Sequence, residues 1–328
     1  MIIESGFKPA WWLSNAHIQT IYSSLRHPIK PSVDRVEQLE LPDGDFLNLL
    51  WSTANLPEDA PLIVILHGMG GSINSSYVAR FMQAFNQQGW RAVLVHFRGA
   101  GDEFNRLPRA YHSGDTADLD YVVHTLNQRE AQTKKAVVGV SLGGNVLLKW
   151  LGEQGENAPV SAAVAVSVPF LLNVVADQMN VGFTRFYQKH LLDKFKTIFA
   201  RKAEIFPNSP TALNNASRCH CFWTFDDQVT APLHGFSGVH SYYRESSSRQ
   251  YLGRIEIPTL IIHAKDDPFM TPAVLPTEEE LSAQVILEVS KKGGHVGFIT
   301  GKTLGVPVYW LDQRIPEYIA EQFYPSLS

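Results

Sequence analysis

Ser141 stands inside Gly139-Val140-Ser141-Leu142-Gly143, a hydroxyl flanked on both sides by glycine. A serine hydroxyl is a weak nucleophile until a base takes its proton. The glycine spacing suits a tight strand-to-helix turn, which exposes Oγ and lets backbone pass where a Cβ would clash. In such a turn the amide of Leu142 faces a reacting carbonyl. His67-Gly68-Met69-Gly70-Gly71 supplies a second glycine-rich turn. The backbone N–H of Met69 is the expected second donor to a developing oxyanion, such donors being worth roughly 3 kcal/mol each. Lys265-Asp266-Asp267-Pro268 and Gly293-Gly294-His295-Val296-Gly297 offer a carboxylate and a base. His295 would take the Ser141 proton and return it to a leaving group, while the carboxylate fixes its tautomer. Either Asp266 or Asp267 has the right spacing; Asp267 is favoured because it lies farther into the loop. The chemistry this set can do is acyl transfer through a covalent intermediate, in the chain order Ser, Asp, His.

These residues need rigid elements to hold them. Unbroken apolar runs at 62–66, 92–96, 136–140, 162–168, 259–264 and 285–289 are expected to be strands buried on both faces. Helical patterns at 77–88, 115–127, 145–153 and 315–323 alternate with them, the signature of a parallel sheet covered by helices. Residues 38–41 and 46–51 flank Pro42-Asp43-Gly44-Asp45, a hairpin signal at a sheet edge. Each chemical motif therefore follows a predicted strand. The expected class is α/β, with the α/β-hydrolase fold: a mostly parallel central sheet flanked by helices. Residues 170–253 break the rhythm, being rich in aromatic and basic side chains with no strong strand. They are expected to form a helical cap over the pocket, inserted before the last strands, with 1–169 and 254–328 as the core.

Composition excludes several classes. The chain has 328 residues, 45% hydrophobic and 18% charged, with a formal net charge of −4. That balance leaves no basic footprint for nucleic acid. Two cysteines in this length cannot frame a fold with disulfides, and a cytoplasmic setting is expected. Cys219 and Cys221 flank His220, but no second ligand pair follows, so no metal site is expected. The N-terminus lacks the apolar core of a secretory signal. The most apolar stretch, 159–176, is interrupted by polar residues and proline, so no integral membrane segment is expected. Residues 297–303 imitate a phosphate-binding loop but are one residue short and follow no strand. Arg98 is expected to pin a loop near the site through Asp102 or Asp115. The histidines other than His295 are assigned no role.

Taken together, the motifs resemble the YheT-like hydrolases, also called the AB hydrolase 4 family of the α/β-hydrolase superfamily. The likeness runs through Phe7-Lys8-Pro9-Ala10-Trp11-Trp12-Leu13, His17-Ile18-Gln19-Thr20, the loops after 66 and 96, and the Ser141 turn. It continues in Phe225-Asp226-Asp227, Thr230-Ala231-Pro232-Leu233-His234-Gly235-Phe236, Asp266-Asp267-Pro268 and Gly294-His295. The resemblance implies a Ser141–Asp267–His295 triad and hydrolysis of carboxylic esters, with lipid-derived esters among the family's substrates. The chain departs from some lipid-acting relatives in lacking Asp five positions after any of its twelve histidines, which weakens an acyltransferase role. The expected function is a serine esterase for short- to medium-chain acyl groups, with no cofactor. A thioesterase or alcohol acyltransferase using the same triad is the alternative, and a non-catalytic binding scaffold is the remaining one.

Overall fold

In the computed structural model of the chain, residues 1–25, 31–101, 103–206 and 211–325 are described. Chain order begins β1 (Ile2–Glu4), α1 (Ala16–Leu25), β2 (Arg35–Glu40), β3 (Phe46–Ser52), β4 (Leu62–Leu66), α2 (Ser76–Gln87), β5 (Arg91–His96). It continues α3 (Thr116–Arg129), β6 (Lys135–Val140), α4 (Leu142–Gln154), β7 (Ala162–Val166). Between β7 and β8 run α5 (Leu172–Gln178), the long α6 (Thr184–Ile205), the short α7 (Thr211–Asn215), α8 (Phe222–Phe225) and α9 (Ala231–Leu233), then α10 (Val239–Ser246). β8 (Thr259–Ala264), β9 (Val285–Ser290), the small hairpin β10 (Ile299–Thr300) and β11 (Val308–Tyr309), and α11 (Leu311–Phe323) complete the chain.

The main sheet has nine strands in the order β1-β9-β8-β7-β6-β4-β5-β3-β2. Neighbours are parallel except where β3 pairs antiparallel with β2 and with β5. Alternation along each strand divides the core. Leu62, Val64, Val93, Val95, Val137 and Ile261 face one layer with Leu119, Val122 and Leu147. Ile63, Ile65, Leu94, Val138, Val164 and Ile262 face the other with Phe81, Phe85, Ile315 and Ile319 of α2 and α11. The interior strands are fully buried on both faces, which is why they read as unbroken apolar runs.

Several elements differ from expectation at their ends: β2 runs 35–40 where 38–41 was expected, α3 runs 116–129 where 115–127 was expected, and three others show a physical reason. β7 stops at Val166 because Ser167 turns to a φ of +52°, which no strand continues. α4 starts at Leu142, three residues earlier than its apolar pattern suggests, and takes in Gly143 and Gly144. These glycines are weak helix formers, but close packing demands them: a Cβ on Gly143 would lie 2.6 Å from the Leu66 and His67 carbonyl oxygens. α11 starts at Leu311 and carries Pro316 inside it. Asp312, in its first turn, meets Arg80 of α2 at 3.1 Å.

Arg98 organises the loop after β5, but through other partners than Asp115. Its guanidinium forks onto both oxygens of Asp118 at 2.7 Å, and Nη1 reaches Asp43 at 2.7 Å and Asp45 at 2.9 Å. Asp115 pairs instead with Arg109. Sequence distance misleads here because the hairpin turn carrying Asp43 and Asp45 folds back onto the loop. Asp102 lies outside the described residues. Arg98 is 3% exposed, so removing it strands buried carboxylates. Arg98→Met should lower the unfolding free energy by about 3–5 kcal/mol in urea titration. A loss under about 1 kcal/mol would mean these charges are effectively in water.

Candidate active site

Ser141 sits at the junction of β6 and α4 with φ +52° and ψ −117°. A non-glycine residue held there stores on the order of 1–3 kcal/mol of strain. The neighbouring glycines make the turn feasible, since a Cβ on Gly139 would lie 2.5 Å from the Gly143 carbonyl oxygen. The Ser141 amide donates to Val166 O at 2.8 Å, and its carbonyl accepts from Asn145 N at 3.0 Å, fixing the turn between two strands and a helix.

His295 arrives on the loop after β9. Its Nδ1 donates to Asp267 Oδ2 at 2.7 Å, which leaves Nε2 to accept from Ser141 Oγ at 3.0 Å. Asp267 is 4% exposed and also accepts from Phe269 N at 2.9 Å. Phe269 stacks flat on the imidazole, centroids 4.1 Å apart. Asp266 faces elsewhere: it accepts from Gly294 N at 3.0 Å and lies 3.8 Å from Lys292, and burial pushes its carboxyl up from the ordinary range. Of the two carboxylates allowed by spacing, Asp267 is the one that meets His295.

The His295 loop is held by parts of the chain whose role was not read from sequence. Thr20 Oγ1 of α1 accepts from His295 N at 2.9 Å. Gln19, wholly buried, accepts from Ile299 N and donates to the Ile299 and Leu13 carbonyls. Ser167 Oγ accepts from Val296 N at 3.0 Å, and Val296 itself has φ +59°. Val296 is β-branched in the left-handed region, a strained position held by its surroundings. A glutamine at 19 between Ile18 and Ile21 was the one available signal, a polar side chain placed where a helix turns inward.

The loop after β4 crosses against the Ser141 turn. A Cβ on Gly68 would lie 3.3 Å from Ser141 Cβ. Gly68 N donates to Tyr77 OH and Gly70 N to Tyr111 OH, both at 2.8 Å. Between them, the amide of Met69 has no hydrogen-bond partner among the described residues. Leu142 opens α4, where amides have no intrahelical acceptor. Beneath the loop, the buried His67 ring sits at 2.7 Å from Gly68 O and accepts from Phe97 N, and burial pushes its pKa down to about 3. His67 is thus a neutral strut under this loop, a role its sequence context did not reveal.

A small, partly open cavity of about 10 Å³ touches Met69 and Leu142 and is walled by Leu192, Phe195, Phe222 and Phe225. That is room for one water. Asp226 also lines it; burial pushes this carboxyl up to about 6, against hydrogen bonds from Thr230 and Tyr243. A larger hollow of about 510 Å³, lined by Trp223, His240 and Tyr243 among others, touches none of the groups around Ser141. Cys219 is buried and Cys221 partly exposed. Among the described residues no group of three His, Cys, Asp or Glu side chains could hold a metal ion, and no helix is long and apolar enough to cross a membrane.

The family profile described as the alpha/beta hydrolase fold matches residues 61–302, three quarters of the chain and all four motifs. The chain belongs to the α/β-hydrolase family. The protein named "Putative esterase YheT" from Escherichia coli (strain K12) is 42% identical over 96% of this chain and 93% of its own. Phospholipase ABHD3 of Mus musculus is 26% identical, over 92% of this α/β hydrolase and 75% of that protein. The solved structure of Est1E from Butyrivibrio proteoclasticus with ferulic acid superposes at a TM-score of 0.56. Its 15% identity, over 88% of this chain and 99% of that one, makes it a likeness of fold alone.

Proposed function

We propose that this α/β hydrolase is a serine esterase that cleaves carboxylic esters of short- to medium-chain acyl groups. Its nucleophile is Ser141, its base His295 and the orienting carboxylate Asp267. The observation that carries the reading is the continuous path from Ser141 Oγ through His295 to Asp267, 3.0 and 2.7 Å, at a strained strand-to-helix turn. Ser141 Oγ bonds to the ester carbonyl carbon as His295 Nε2 takes its proton. The carbonyl π pair moves onto oxygen, which receives hydrogen bonds from the amides of Met69 and Leu142. Collapse re-forms the carbonyl and expels the alkoxide, protonated by His295, to leave an acyl-serine. Water then attacks, giving its proton to His295, and the second collapse releases the acid as Ser141 recovers a proton. Throughout, Asp267 holds Nδ1–H and offsets the imidazolium charge.

The kinship with YheT supports ester hydrolysis, and the kinship with a phospholipase supports extending the substrates to lipid-derived esters. The helices α5–α10 between β7 and β8 serve as the cap, with domain limits near 170 and 253. The apolar walls beside Met69 and Leu142 support an acyl chain running there, in a space that must widen beyond the present volume of about 10 Å³ to admit it. Hydrolysis of nitrophenyl esters from acetyl to long chains tests the reading: an optimum at short to medium chains supports it, and no turnover of any ester by folded protein refutes it. Phe222→Ala should move that optimum to longer chains, because the removed ring walls the cavity. An unmoved optimum would put the acyl chain elsewhere.

A further inference from the structure

The start of α6 exposes a group of large apolar side chains that the esterase reading does not use. Val181 is 61% exposed, Phe183 58% and Phe186 63%. The two phenylalanine rings stack on each other at 5.9 Å, and Phe183 packs edge-on against His17 at 4.9 Å. Ile18, beside His17, is 45% exposed. A single exposed apolar residue needs no explanation, but a cluster of this kind marks an interaction surface.

The charge around the cluster says what kind. α6 carries Arg185, Lys189, Lys194, Lys196, Arg201 and Lys202 against only Asp193 and Glu204, in a chain of formal net charge −4. Arg185, Lys189, Lys194 and Arg201 are exposed; the Lys189–Asp193 pair at 2.5 Å is itself exposed and weak, so the lysine can exchange that partner for a phosphate. An aromatic tip flanked by basic side chains matches an anionic lipid surface, with the rings entering the headgroup boundary and the cations pairing with phosphate. A second copy of the chain matches poorly, since a two-fold contact would bring like basic helices together. The cluster also stands over the chemistry. Phe183 meets Tyr187 at 5.6 Å, Tyr187 meets Phe269 at 5.0 Å, and Phe269 lies on His295. Farther along the same helix, Leu192 and Phe195 wall the cavity, and Lys194 Nζ donates to Gly70 O at 3.2 Å.

We infer that Val181, Phe183 and Phe186, with Arg185 and Lys189, form a docking surface for an anionic lipid bilayer, on the helix that walls the site. Docking is independent of turnover, so failure of the esterase reading leaves this one standing, and the reverse. The test is co-sedimentation of the full chain with vesicles of phosphatidylcholine mixed with phosphatidylglycerol, against phosphatidylcholine alone, at low and high salt. The protein should sediment with the mixed vesicles, less with phosphatidylcholine alone, and be released by salt. The triple variant V181S/F183S/F186S and the charge variant R185E/K189E should each lower partitioning by about tenfold or more, on the scale of a few interfacial groups. Two results would overturn the inference. One is no sedimentation at low salt, or equal sedimentation by wild type and both variants. The other is a dimer in light scattering that the triple variant dissolves, with no vesicle binding by either.

Discussion

Ser141→Ala should lower kcat on a nitrophenyl ester by about 10⁴-fold or more, with the fold intact. The size follows from what alanine lacks. Without Oγ no acyl-enzyme forms, and hydrolysis falls back on whatever the amides of Met69 and Leu142 do for a water-driven reaction. The loss is not a folding effect, because alanine at φ +52° bears the same Cβ strain as serine, and the backbone bonds to Val166 and Asn145 remain. The variant's thermal midpoint should match wild type. A loss under tenfold, with the fold intact, would remove Ser141 as nucleophile.

Asp267→Asn should cost a comparable 10⁴-fold, roughly, and for a reason visible in its hydrogen bonds. Phe269 N donates to Asp267 Oδ1, and that donor will claim the amide oxygen of an asparagine. The NH₂ group then faces His295 Nδ1 and forces its proton onto Nε2. A protonated Nε2 cannot accept from Ser141, so the base is lost while the geometry survives. Asp266→Asn is the matched control. Its partner is the Gly294 amide, which an asparagine oxygen accepts equally well, so kcat should change little. Equal losses in the two variants would mean that both act only by holding the loop.

The strands that carry the motifs were legible because each is buried on both faces and so mostly apolar, with buried polar exceptions such as Thr259, His263 and Glu288; 62–66 and 259–264 match their expected bounds residue for residue. The Ser141 turn was legible because glycines at 139 and 143 answer a steric demand that the structure makes explicit. Where the site depends on single hydrogen bonds between distant segments, the sequence was silent. β1 is three residues at a sheet edge, pairing with β9 from the far end of the chain, and has no pattern long enough to read. Thr20 and Gln19 act through one hydroxyl and one amide, and His67 through a ring hidden under its loop. Asp266 and Asp267 are neighbours on one loop, and only the fold distinguishes the one facing His295 from the one facing Gly294. Arg98 finds partners on a hairpin some fifty residues earlier, beyond the reach of local spacing.

Covalent trapping with a fluorophosphonate, followed by peptide mapping of the adduct, tests Ser141 as nucleophile most directly. One phosphonyl group per chain is expected, on the peptide bearing Ser141, formed in step with loss of nitrophenyl ester hydrolysis and absent from Ser141→Ala. An adduct on another residue that abolishes activity, or full hydrolysis by a chain that never labels at Ser141, would contradict that role.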